Sequence, residues 1–289
     1  MAIGRFRCPV SHRLFRDSGP TDNFLVVFPR SSVWIRHAGA RAFLADPTVV
    51  TIYNSAQEYE RFAASPEGDR CDWFAVSGDL AREISGALDP DAGQSIRPFR
   101  HAWAPSTVSM YRRQRELLWQ AERGAMDALR MEESVISIVA DVLRAAHEPQ
   151  AASRARRRAS MARHRDLANA ARCLLGRTLH ENVSVHSLAA ELSTSPFHLC
   201  RVFRACTGVT MRDYQSNLRV RRAFELLEDR VGHASLSDLA LELGFASHSH
   251  FTDTMRRRAG AAPREVRRTF QSSTLESNAP TAACVDSGL

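Results

Sequence analysis

One pattern occurs twice between Ser184 and Phe270, and it narrows the possible folds more than any other feature of the chain. The first copy reads Ser187-Leu188-Ala189, Leu192, Ser195, Leu199, Phe203, Gly208. The second reads Asp238-Leu239-Ala240, Leu243, Ser247, Phe251, Met255, Gly260. Ser195 to Gly208 and Ser247 to Gly260 span the same thirteen positions, while Gly244-Phe245 lengthens the upstream half of the second copy by one residue. An internal repeat of this kind defines an architecture. Each copy reads as a short helix, a tight turn and a second helix, the helix-turn-helix arrangement whose second helix can enter a DNA major groove.

Local signals agree with that reading. Ser184 and Ser195 stand where a hydroxyl can accept from a free amide at a helix start, and Pro196 follows at the first helical position. On a helical wheel Leu199, Val202, Phe203 and Cys206 share one side. Phe197, Arg201 and Arg204 lie opposite, with Cys200 on the shoulder. Arg can reach guanine O6 and N7, and an aromatic edge can meet a thymine methyl. A solvated surface helix also carries such a face; the serine cap, the glycine stop and the repetition favour DNA. In the second copy Ser235 or Ser237 lies near the first cap, and Ser247 caps the second helix. Phe251 and Met255 face inward, Ser249, Thr252, Asp253 and Arg256 face outward, and His248 sits near the N-terminal end. Pro263 opens a last short helix bearing Arg264, Arg267 and Arg268. Arg204, Arg256, Arg257, Arg264 and Arg267 are the candidates for phosphate contact, which positions a protein without reading sequence.

Thr210 to Asp229 is predicted as one helix of roughly 30 Å at 1.5 Å per residue. Met211, Tyr214 and Leu218 lie on one side, and Val220, Ala223, Phe224 and Leu227 nearly opposite. A helix that changes its buried face halfway packs on two bodies in succession. It would be a rigid bridge between two reading units, able to serve successive major grooves if they stand about 34 Å apart.

Charge is segregated in the same way. All 39 basic residues are Arg. Arg-rich usage also follows from a GC-rich genome, so distribution matters more than total. Residues 1–150 carry 18 Arg against 19 acids, and residues 151–289 carry 21 Arg against 13 acids. The basic excess therefore lies in the repeat-bearing half, the electrostatic footprint of a nucleic-acid-binding domain.

Upstream, Phe24–Phe28, Val33–Ile35, Val49–Tyr53 and Arg70–Val76 are short β-branched or aromatic runs, with turn formers between them. They predict a small β-barrel or sandwich between Phe6 and about Val76. Two helices are predicted at about 105–122 and 126–147, broken near Gly124. The second is apolar over a broad face, part of which must pack on the β unit while the remainder is free to pair with another copy. The domain plan is a β-rich domain over 1–104, a helical pair over 105–148, an Arg-rich linker over 149–164, a double helix-turn-helix domain over 165–271 and a disordered tail over 272–289. The linker reads as a solvated tether, or as a segment that also touches phosphates. Within the fourth segment a first helix is predicted over Asp166–His180.

The six cysteines form no C-x-x-C pair and no zinc-finger spacing, which fits free thiols in a reducing compartment. No apolar run is long enough for a membrane span. A cytoplasmic protein is expected.

The residues of the second half resemble the AraC/XylS family of bacterial transcription regulators. The resemblance covers about 165–270 and rests on Ala189, Ser195, Leu199, Phe203 and Gly208; on Tyr214, Arg219, Ala223 and Leu226-Leu227; and on Leu239-Ala240, Gly244-Phe245, Phe251, Gly260 and Pro263. Met255, Thr210 and Val266 depart from the family pattern without threatening the fold. The resemblance implies a seven-helix domain, with base contacts from Phe197, Cys200 and Arg201 in the first unit and from His248, Ser249, Thr252 and Asp253 in the second. Asp253 disfavours proximity to phosphate unless it accepts from cytosine N4 or holds an Arg, which puts base reading by the second unit in question. The first half resembles the cupin-like sensing domain and helical dimerisation pair of the same family. The expected fold class is therefore α+β, a cupin-like β-barrel with a helical pair followed by an all-α domain.

The expected function is sequence-specific regulation of transcription by an effector-responsive activator. Its expected partners are double-stranded promoter DNA, RNA polymerase, a small-molecule effector and a second copy of the chain. No enzyme activity, cofactor or metal is expected. His12, His37 and His101 are scattered, and Trp34, Tyr53, Tyr59, Trp73 and Trp103 serve either a pocket or core packing. Two alternatives are a redox-responsive regulator acting through Cys8 or Cys71, and a catalytic cupin fused to a DNA-binding module.

Overall fold

The computed structural model describes residues 1–17, 19–147, 158–229 and 235–271. The tail expected over 272–289 and the stretch 149–157 of the expected linker lie outside the described residues. The chain divides into two compact units that separate between Glu148 and Pro149.

The first unit contains, in order, β1 (Ala2–Cys8), β2 (Phe24–Pro29), β3 (Val33–His37), β4 (Phe43–Ala45), β5 (Val49–Tyr53), β6 (Tyr59–Ala63), β7 (Asp69–Val76), α1 (Gly78–Gly86), α2 (Pro90–Gly93), β8 (Trp103–Pro105), α3 (Val108–Glu122) and α4 (Ala128–His147). Its strands form a five-stranded sheet in the order β1-β7-β2-β5-β8 and a three-stranded sheet in the order β4-β3-β6, with every named pairing antiparallel.

The central strands of the larger sheet, β7, β2 and β5, are buried on both faces, and the two-residue period of a strand shows how. Val26 and Phe28 of β2, Val50 and Ile52 of β5, and Phe74 and Val76 of β7 share a core with Ala81 of α1, Leu117 of α3 and Val135, Val139 and Val142 of α4. The alternate residues Leu25, Val49, Tyr53 and Ala75 share a second core with Val33 and Ile35 of the smaller sheet. Thus β5 is buried along its whole length, and a one-residue slip would exchange its two sets of side chains between the cores. Tyr59, Trp73 and Trp103 pack at the margin of the second core around buried Tyr53, so these four of the five candidate pocket aromatics serve packing.

Strands β4 and β6, the residues of β1 before Phe6, and the short elements α1, α2 and β8 were not foreseen. The expected helix start at 105 is corrected to Val108: Pro105 closes β8 against Val49, and Thr107 caps α3 by accepting from the Met110 amide at 3.1 Å. Much of the broad apolar face of α4 is absorbed by its own unit. Val135, Ile138, Val139, Val142 and Leu143 are buried, and the large apolar side chains of α4 left exposed are Leu129 and Ile136.

A carboxylate is buried between sheet and helix. Asp72 of β7 and Arg115 of α3 are fully buried and paired at 2.7 Å, with Arg30 at 3.8 Å. Burial alone would raise the Asp72 pKa, but Arg115, Arg30 and Arg5 outweigh it and hold the carboxyl below its ordinary value.

The second unit is all-helical: α5 (Arg158–Arg177), α6 (Val185–Glu191), α7 (Pro196–Thr207), α8 (Met211–Asp229), α9 (Leu236–Glu242), α10 (His248–Ala259) and α11 (Pro263–Gln271). Helix α5 begins inside the expected linker and ends before the expected His180. Residues 158–164 are helical because Arg, Ala and Met are good helix formers. Helix α8 has the two-faced form predicted for it. Met211, Tyr214 and Leu218 join Leu174, Leu188, Leu199 and Phe203 in one core. Val220, Ala223, Phe224 and Leu227 are buried further along, where α10 and α11 pack on α8.

Candidate nucleic-acid interface

The first candidate reading helix is α7. Ser195 is its N-cap and accepts from the His198 amide at 3.2 Å. Gly208 ends it with φ +77°, a left-handed conformation that glycine adopts without steric cost. Leu199, Val202 and Phe203 are buried, and the Phe203 ring meets Tyr214 of α8 edge-on with centroids 5.4 Å apart. The opposite side is open: Cys200, Arg201 and Arg204 are exposed, and Phe197 is 79% exposed. An aromatic ring so uncovered at a helix N-terminus has no packing role within the unit. Arg201 Nη2 lies 3.4 Å from His198 Nδ1, and the His198 ring meets His164 of α5 at 5.6 Å between centroids. Cys206 corrects the wheel. The packed arc is narrower than predicted, and Cys206 lies beyond its edge, exposed.

Helix α10 repeats the construction. Ser247 accepts from the His250 amide at 3.1 Å, and Gly260 closes the helix at φ +70°. Phe251, Thr254, Met255 and Ala259 are buried. His248, Ser249, Asp253, Arg256 and Arg257 are exposed. Thr252 differs from the expectation of an outward hydroxyl. It is half-buried, and among the described residues its shielded Oγ1 has no hydrogen-bond partner. Arg258 turns back to α8, donating to Asn217 Oδ1 at 2.7 Å and Asp213 Oδ1 at 2.6 Å. Hydrogen bonds from Thr210 and Arg258 hold the Asp213 carboxyl below its usual pKa.

On α11, Arg264 and Arg268 are exposed, whereas Arg267 is half-buried and burial lowers its pKa. Of the five residues assigned to phosphate, Arg204, Arg256, Arg257 and Arg264 therefore stand open to solvent, and Arg267 is partly withdrawn.

Arg219 of α8 was seen in the sequence only as part of a pattern. The structure gives it a role: its guanidinium donates to Leu179 O at 2.9 Å, Gly244 O at 2.7 Å and Glu181 O at 2.9 Å. It thereby joins the loop after α5 to the turn before α10. The available signal was an Arg at the centre of the bridge helix, between apolar Leu218 and Val220.

The groups behind the two alternative functions are placed differently. Cys8 and Cys71 are buried, and burial pushes the Cys71 thiol up. The thiolate is the reactive form of cysteine, so this site disfavours it. His37 is buried against Tyr53 and Phe43, its Nδ1 2.6 Å from Gln57 Nε2. Among the described residues no group of three or more His, Cys, Asp or Glu could hold a metal ion, and no helix is long and apolar enough to cross a membrane.

A family model described as "Helix-turn-helix domain" matches residues 188–269. The chain is 34% identical over 87 residues to the HTH-type transcriptional activator RhaS of Escherichia coli O139:H28 (strain E24377A / ETEC), a match covering 30% of this chain and 31% of RhaS. It thus spans about a third of the length of such relatives. A solved transcriptional regulator from Chromobacterium violaceum, described among AraC-type DNA-binding domain-containing proteins, is 27% identical. That match covers 40% of this chain and 99% of that one, with a TM-score of 0.35. Wild-type ToxT from Vibrio cholerae strain SCE256, solved bound to an unsaturated fatty acid, is 13% identical, covering 93% of this chain and 95% of that one with a TM-score of 0.36.

Proposed function

We propose, from the premise that residues 188–269 are a DNA-binding domain of the AraC/XylS family, that the protein is a sequence-specific regulator of transcription. One observation carries the reading. Two helices, each serine-capped and glycine-stopped, are buried along one side and leave their other side open to solvent with Arg, aromatic, His and Ser groups. Phe197, Cys200 and Arg201 on α7 are assigned to bases, as are His248, Ser249, Thr252 and Asp253 on α10, where Thr252 must turn about χ1 to present its hydroxyl. Arg204, Arg256, Arg257 and Arg264 are assigned to phosphates, with Arg267 in a lesser part.

The first unit is read as a cupin-like sensing domain for a small-molecule effector, with its helical pair supporting a homodimer through what α4 leaves open around Leu129 and Ile136. The sign of regulation is read as activation, with RNA polymerase as a partner, and the protein as non-enzymatic. The test is binding of the full-length chain to promoter fragments and to scrambled DNA at physiological salt. Specific affinities exceed non-specific ones by about 10³-fold or more. Equal affinity for both probes rejects the proposal. A ligand screen by thermal shift tests the sensing role of the first unit.

A further inference from the structure

We propose that Arg219 is a positioning residue that sets the register between the two reading helices, and so the spacing of the two DNA segments they contact. The inference rests on the DNA-reading assignment above and deepens it.

Both reading helices pack on α8. Apolar packing is non-directional, so it resists separation better than it resists sliding or turning. A directional fastening is present where the two repeats meet. Arg219 is a buried residue, and its guanidinium donates to the carbonyls of Leu179 and Glu181 from the first repeat's side. It donates also to the carbonyl of Gly244, in the turn that leads into α10. These acceptors lie at different angles around a planar fork, a pattern an ammonium point charge cannot reproduce.

The partner surface is shaped for close approach. Gly244 has φ +77°, and a Cβ there would lie 2.5 Å from the His180 carbonyl oxygen and 2.8 Å from Arg219 Nη2. Two further ties flank it: the His180 ring nitrogen lies 2.7 Å from Glu242 O, and Gln215 Nε2 donates to Glu181 O at 3.0 Å. The turn of the second repeat is thus seated on the loop of the first through hydrogen bonds to main-chain groups.

Duplex DNA makes the consequence measurable. One base pair adds about 3.4 Å of rise and about 34° of twist. A fastened pair of helices tolerates one spacing, and a loosened pair tolerates several.

The experiment uses the full-length chain and a DNA duplex selected by the wild-type protein from a randomised pool. Footprinting locates the two protected segments, and one or two base pairs are inserted or removed between them. Wild type is expected to lose roughly tenfold or more in affinity at a one-base-pair change, the size of a mismatched base pair. Arg219→Met and Arg219→Lys are expected to bind the original duplex about tenfold more weakly, with affinity varying less than about threefold across the spacing series. Failure of Lys to restore the sharp optimum identifies the fork geometry as the cause. An Arg219 variant that keeps the wild-type optimum and is weakened equally at every spacing overturns the proposal. If circular dichroism shows that neither variant folds, Arg219→Gln is measured instead, since it keeps a polar donor on α8 and loses the three-way fork. A broadened spacing profile supports the proposal, and an unchanged one overturns it. If the wild type enriches no sequence from the pool, the DNA-reading assignment itself falls, and the register role with it.

Discussion

Replacing Arg115 with Met tests the account of the first unit most severely. Arg115 and Asp72 are both at 0% side-chain exposure and 2.7 Å apart. At an effective dielectric near 20, Coulomb attraction at that separation is worth roughly 6 kcal/mol. Desolvation costs several kcal/mol for each ion, so the intact pair is close to neutral relative to an apolar pair of the same shape. Removing one partner is different, because it takes away the 2.7 Å contact and leaves a buried carboxylate with Arg30 at 3.8 Å and the charge of Arg5. Arg115→Met is expected to cost about 3–5 kcal/mol. Asp72→Leu combined with Arg115→Met should recover most of that.

All four tryptophans, Trp34, Trp73, Trp103 and Trp119, lie in the first unit. Urea unfolding followed by Trp fluorescence therefore reports that unit within the full-length chain. The pH dependence has a definite sign. In the wild type the folded-state Asp72 pKa is held down, so its contribution is present above the ordinary carboxylate pKa of about 3.9 and is lost as pH falls through the folded value. Without Arg115, burial pushes the same carboxyl upward, so it takes up a proton at higher pH. The penalty of Arg115→Met should therefore shrink between pH 7 and about pH 4.5. A loss below about 1 kcal/mol at pH 7, or a penalty constant over that range, refutes the reasoning.

Three further outcomes are expected. Arg201→Ala should cost about 1–3 kcal/mol at one base pair of a selected duplex and relax specificity there, whereas a loss equal across all duplexes would mean that Arg201 touches phosphate alone. Burial lowers the His37 pKa to about 4. The folded state therefore resists protonation, and stability should decline as pH falls from about 6.5 to about 4, by on the order of 3 kcal/mol. His37→Gln should flatten that slope in paired denaturation curves, and equal slopes would count against it. Gln114 is fully buried, and among the described residues neither amide atom has a partner. Gln114→Leu should stabilise the first unit by about 1–3 kcal/mol, and a loss of stability would show that the amide is satisfied in solution.

The second unit was legible because its signals are local. Ser195, Ser247, Gly208 and Gly260 mark helix ends through their own hydrogen bonds and backbone angles, and the change of buried face along α8 is written in its apolar spacing. Cys206 was misplaced because a wheel gives direction and not the width of the packed arc. Arg219 was legible as an oddity but not as a fastening, since its acceptors are carbonyls about 25 to 40 positions away that no residue type announces. The first unit was harder to read. A sheet buried on both faces loses the polar alternation that marks strands, and β4 and β8 have three residues each. The helix start expected near 105 was misplaced for the same reason, because β8 completes the sheet immediately before α3 begins. The width of the α4 apolar face was visible, but the amount covered within the unit depends on α1, α3 and the sheet together.

The shared core of sheet, α3 and α4 has a consequence for how the first unit can respond. No tether separates the strands from the helical pair: Asp72 grips Arg115 directly, and Phe74 lies in the same cluster as Val135 and Val139. A chain ending at residue 104 would hand Val26, Phe28, Val50 and Ile52 to water, so the sheet is not a separable domain. Any strain entering its strands is felt in α3 and α4 as a change of packing in the same solid.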